Sequence, residues 1–87
     1  LSEAQPPKIE TNKLGQEILD LLTPIVGAIV ALAMLDKQCT GIGVTPSTIR
    51  DDHIEVLAQR IEYVLVIFGH DGKAVGTRIR ALKGRTL

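Results

Sequence analysis

From Leu21 to Leu35 the chain runs fifteen residues without a charge. Through and around this run, Leu14, Ile18, Leu21, Ile25, Ala28, Leu32 and Leu35 recur at alternating steps of four and three, the spacing that aligns one face of an α-helix. Leu19, Leu22, Val26, Ile29 and Ala33 widen the stripe, and the opposite face (Thr23, Gly27, Ala31, Met34) is small or apolar rather than solvating. A helix that is apolar all round has to be buried all round. In a chain of 87 residues one further segment cannot surround it, and a core this small commonly needs association. The expectation is a homodimer or higher homo-oligomer held through Leu21, Ile25, Gly27, Ala28, Ala31, Leu32 and Leu35.

This first helix is predicted over residues 11–38. Thr11 or Asn12 caps its start, and Glu17 and Asp20 lie in its early turns, where the helix dipole favours anions. Pro24 is expected to bend it or to start its apolar half. As a membrane span it is too short: fifteen uncharged residues reach roughly 22 Å, against about 30 Å of hydrocarbon. It also lacks aromatic anchors and flanking basic clusters. A helix buried in protein is therefore preferred over one in lipid. Residues 1–10, with Pro6 and Pro7, read as an extended tail without signal-peptide character. Residues 11–87 read as one small oligomerising domain, placed in the cytoplasm.

Thr40 to Val44 break the chain with Gly41 and Gly43. Thr45-Pro46 then reads as a cap and first turn opening a helix over 46–61, with Ile49, Ile54, Leu57, Ala58 and Ile61 inward. The following run, Tyr63 to Phe68, is rich in β-branched and aromatic residues, which argues for a strand. Gly69 stops it and Asp71-Gly72 is a two-residue hairpin signal. Centring a turn there pairs Phe68 with Val75, Val66 with Thr77 and Val64 with Ile79 on one face, a sorting that a slip of one residue would destroy. The predicted fold is α+β: helices over 11–38 and 46–61, then a β-hairpin of 62–69 and 74–82, oligomeric. The alternative is an all-α bundle, since Leu57, Ile61, Val64 and Phe68 also keep a helical stripe.

Ten basic and ten acidic side chains balance, which excludes a globally basic nucleic-acid binder and an acidic disordered tail. The balance is uneven along the chain, however. Residues 70–87 carry Lys73, Arg78, Arg80, Lys83 and Arg85 against Asp71 alone. This basic segment, 73–87, is the candidate anion- or nucleic-acid-binding surface, through charge and bidentate arginine geometry. An acidic protein is the other partner it would suit.

Chemistry-bearing residues are few. Cys39 is the single cysteine, so an intrachain disulfide and a cysteine-only zinc site are excluded. It reads as a packing residue. His53, in Asp52-His53-Ile54-Glu55 on a helical hairpin, resembles the dimerisation and phosphotransfer domain of sensor histidine kinases. The acid, apolar residue, arginine and threonine-proline that usually follow that family's histidine are missing here, which leaves a surface histidine. His70 has no ligand spacing with His53 that would make a metal site. The stretch from Gly69 to Thr77 lacks the glycine-lysine-serine/threonine ending of a phosphate loop. The stretch from Val66 to Arg85 resembles the strand and arm of HU-like DNA-bending proteins, although the first helix is too long and apolar for that family. The acidic start, apolar middle and basic end are similar in order to filamentous-phage coat subunits. No enzyme activity, cofactor or metal is expected. The chain reads as an interaction or structural module that self-associates through its first helix and presents a basic hairpin and tail. Nucleic-acid-binding, membrane or filament-forming roles are the alternatives.

Overall fold

The computed structural model describes residues 9–84, and there the chain is helical: α1 (Lys13–Val26), α2 (Ala28–Gly41), α3 (Ile54–Ile67) and α4 (Gly72–Arg80). Residues 1–8 of the predicted extended tail 1–10, and Arg85, lie outside the described residues. No strand occurs among the described residues, so the predicted α+β fold is corrected to the all-α alternative.

The long first helix is two helices. Pro24 sits inside α1, but the break comes three residues later, at Gly27, whose φ of 88° and ψ of 159° lie in a region essentially reserved for glycine. Gly27 both ends α1, its N–H donating to the Thr23 carbonyl, and starts α2, its carbonyl accepting from Ala31 N–H. A straight helix would hold Lys13 and Gly41 about 42 Å apart. Yet Pro46, five residues past Gly41, accepts a hydrogen bond from Asn12 N–H at 3.0 Å, and five residues reach at most about 18 Å. The two helices therefore double back at Gly27, and the continuous stripe read from the sequence becomes two facing inner faces. Leu14, Ile18 and Leu22 on α1 meet Ala31, Leu35 and Cys39 on α2, all buried.

Asn12 fastens the open end of this hairpin. Its Oδ1 accepts from Gly15 N–H at 2.9 Å as the cap of α1, and its Nδ2 donates to the Ile49 carbonyl at 2.8 Å. The predicted helix start at Pro46 is corrected as well. Thr45 to Thr48 form a turn, tied by hydroxyl contacts of Thr45 with Ser47 and Thr48, and a 3₁₀ turn at Asp51–His53 leads into α3.

The predicted β-hairpin fails at three places. Residues 63–67 continue α3, because Ile54, Leu57, Ala58, Ile61 and Leu65, all buried, form a stripe at helical spacing whose burial outweighs the local β preference. Gly69, at φ 85°, is a helix stop: its N–H donates to the Val66 carbonyl and His70 N–H to that of Leu65, the doubled bond of a Schellman cap. Asp71 then caps α4, Oδ1 accepting from Ala74 N–H at 3.1 Å. The Asp-Gly pair that signals a hairpin turn is thus an N-cap and the first residue of a helix.

Gly72 and Gly76 bring α4 close to α3: a Cβ at Gly72 would overlap the Glu62 carbonyl, and one at Gly76 would overlap the Glu62 side chain. α1 packs against α2 and α4, and α3 against α2 and α4. Two helical hairpins thus close one four-helix core, reached from α4 by Val75 and Ile79 and from the turn after it by Leu82.

Because the backbone at Gly27 suits no L-residue, Gly27→Ala should lower stability by about 1–3 kcal/mol. Urea unfolding followed by circular dichroism measures this, and a neutral result would mean that the reversal does not depend on glycine.

Candidate functional site

The described basic residues of this segment, Lys73, Arg78, Arg80 and Lys83, do not form one surface. Arg80 turns toward α3: its Nε lies 3.0 Å from both Glu55 carboxylate oxygens, and its Nη1 donates to Glu62. Those bonds, first to Glu62 and then to Glu55, hold its pKa above the ordinary arginine value. With two carboxylates on it, Arg80 is a structural cation joining α3 to α4. Lys73 and Arg78, five residues apart on α4, point about 140° away from each other. Lys83 is exposed beyond the helix. The alternation that would put Arg78 and Arg80 on one strand face disappears in a helix.

His53 is occupied in a local role, its Nδ1 accepting from Arg50 N–H at 3.0 Å. Beside it, Asp52 is held below the ordinary carboxylate range by its hydrogen bond from Arg50. Cys39 is fully buried. Burial, with Asp36 nearby adding to it, pushes its thiol up to about 11. No group of three or more His, Cys, Asp or Glu side chains suited to a metal ion occurs among the described residues.

Of the predicted self-association residues, Ala31 and Leu35 are wholly buried in the chain's own core. Leu21 and Leu32 are half-buried, Gly27 and Ala28 lie exposed at the reversal, and Ile25 is exposed at its edge. The doubled-back hairpin thus buries within the chain much of the stripe assigned to a second copy.

What remains outside is an apolar surface that shares only Ile25 with that predicted set. Ile25, Ile29, Val30, Tyr63, Ile67 and Phe68 are each between 37% and 86% exposed. Between α2 and α3, Val30, Ala33, Met34, Val64, Ile67 and Phe68 line a trough of about 410 Å³, with Lys37 and Gln38 at one end. Val30, Met34 and Phe68 also line a second cavity of about 570 Å³, which carries the trough on to Ile25 and His70 near the reversal. At the opposite end, Gln38 belongs as well to a polar cleft with Gln59, Arg60 and Tyr63. Gln38 is buried, and its Oε1 accepts from Arg60 Nε at 2.9 Å. Gly41 leaves room for that guanidinium, because a Cβ there would overlap it.

The sequence reading missed this trough because it placed Tyr63 to Phe68 in a strand and took Val30 and Met34 as parts of one continuous helix. One signal was available: Tyr63 and Phe68 are the only aromatic residues in the chain, and both are on the outside, 70% and 66% exposed. No helix among the described residues is long and apolar enough to cross a membrane. Comparison of the chain with protein-family models, curated proteins and solved structures finds no match.

Two outcomes follow from these side chains. Arg80→Gln should lower the thermal midpoint by releasing two carboxylates, whereas Arg78→Gln, removing an exposed cation, should leave it unchanged; differential scanning calorimetry separates the two. The Cys39 thiol should react with a disulfide reagent only on unfolding. Its folded pKa lies above the ordinary 9.0, so the unfolded chain loses the proton first and the stabilisation present below pH 9 is lost as pH rises toward 11. A fast thiol reaction in native buffer would contradict the burial.

Proposed function

We propose that the chain is a non-enzymatic helical interaction module that self-associates, a second copy covering the apolar surface along α2 and the C-terminal half of α3. The observation that carries this reading is the exposure of both aromatic residues, together with that of Ile29, Val30 and Ile67. A core-forming chain of this size has few large side chains to spare, and tyrosine and phenylalanine on a free surface are what association patches concentrate.

Area supports the same reading. Tyr63 and Phe68, at 70% and 66% exposure, alone leave on the order of 200–300 Å² of aromatic surface in water. Ile29, Val30 and Ile67 add to it, giving a substantial share of the ~800 Å² that each partner contributes to a standard interface. α2 adds a second support. Its first two turns, Ala28 to Leu35, contain no charge on any face, so its outward side gains by leaving water. The contact residues therefore differ from those of the apolar stripe: Ile29, Val30, Ile67 and Phe68 replace Ala31 and Leu35, which the monomer already buries.

Light scattering of the purified chain, without detergent and then with it, tests the proposal. The expected result is a discrete, detergent-independent dimer that Ile29→Asp or Phe68→Asp converts to monomer with unchanged helical circular dichroism. A monomer at high concentration, or a dimer indifferent to both substitutions, would overturn it.

A further inference from the structure

The trough has a charge pattern of its own. The cation at its end is Lys37, and Arg60 stands in the adjoining cleft beside Tyr63. Neither forms an ion pair among the described residues, whereas Arg50 is paired with Asp52, and Arg80 with Glu55 and Glu62. Arg60 is also aimed. The single bond from its Nε to the buried Gln38 fixes the side chain across Gly41, which leaves its terminal nitrogens to another acceptor.

The acids of the same two helices point elsewhere. On α3, Glu55 and Glu62 turn to Arg80. On α2, Asp36 lies about 100° around the helix from Lys37. The residues lining the trough and the adjoining cleft include no carboxylate. From Val30 to Lys37 is seven residues of α2, about 10 Å, and the second cavity carries the trough on to Ile25 and His70.

We infer that this trough is the seat of an amphipathic helix from a partner protein, with acidic residues flanking its apolar stripe. The apolar side chains of such a helix, at i, i+4 and i+7, would fill the space between Val30, Met34, Ile67 and Phe68 in the helix-in-groove manner. Its carboxylates would meet Lys37 and the open side of Arg60. Tyr63 and Arg60 are the residue types that dominate binding at such surfaces. The inference rests on the proposed function only in taking this surface as an interface. The partner helix and the second copy would cover the same residues, so the two compete and the helix dissolves the dimer.

The test uses the full chain and two synthetic peptides of about fifteen residues, long enough for the trough. Both carry the same leucine and phenylalanine stripe, one flanked by glutamates and the other by lysines. Fluorescence anisotropy should show the glutamate peptide binding about three- to tenfold more tightly at low salt, the range that one or two exposed ion pairs give. That advantage should shrink at roughly 0.5 M salt. Lys37→Glu should abolish or invert the preference, and Arg60→Gln should weaken it. Equal binding of both peptides, or a preference untouched by Lys37→Glu, would overturn the inference. So would binding to phosphatidylserine vesicles in place of either peptide, which would make the surface a membrane contact. If neither peptide binds but a dimer forms, the inference falls and self-association stands. If the glutamate peptide binds a chain that stays monomeric, self-association falls and the inference stands.

Discussion

The reversal at Gly27 is the constraint from which the rest of the molecule follows. A helix running unbroken from Lys13 to Gly41 would have no inner face, and its charge-free middle, Leu21 to Leu35, would stand as an apolar cylinder about 22 Å long. One residue at positive φ converts that cylinder into two helices that bury one another, and the same residue satisfies backbone groups of both. With no longer connection available, the reversal also fixes which side chains face inward. Leu22 and Ala31, nine residues apart, become core neighbours, while Ile29 and Val30 are left at the corner.

α3 and α4 reach a similar end by different chemistry. Their turn uses a glycine stop and an aspartate cap, and the closeness of the two helices comes from Gly72 and Gly76 against Glu62. Glu62 then has little freedom, and Arg80 is drawn to it. An ion pair on this seam and a glycine spacing in α4 are two parts of one arrangement. Enlarging Gly76 would displace the carboxylate before it disturbed the core. The basic character of the C-terminal segment is partly spent in this way inside the molecule.

Helix content was legible in the sequence wherever a stripe ran unbroken: the start at Asn12 and the inward set Ile54, Leu57, Ala58 and Ile61. Two features were not legible, each for a physical reason. A four-and-three pattern reads the same across a straight helix as across two helices folded back at a glycine, so Gly27 looked like an ordinary small residue of the stripe. Tyr63 to Phe68 carried a local strand preference and a turn signal that agreed with each other. Only the tertiary burial of Leu65 decides against them. The trough was hidden for both reasons at once, since one wall comes from each misread segment.

The hydrogen bonds of Asn12 bear on the order in which the molecule assembles. Each hairpin joins helices adjacent in the chain, through one residue in the first case and four in the second, so the early contacts close small loops. The Asn12 amide instead reaches across 37 positions to the Ile49 carbonyl, a contact that gains nothing until both α1 and α2 are in place. Low contact order favours rapid folding, and within such a scheme this clasp belongs on the native side of the barrier. Weakening it would chiefly hasten unfolding and leave the rate of collapse nearly untouched. One asparagine at the mouth of the first hairpin would then add to how long the folded chain lasts.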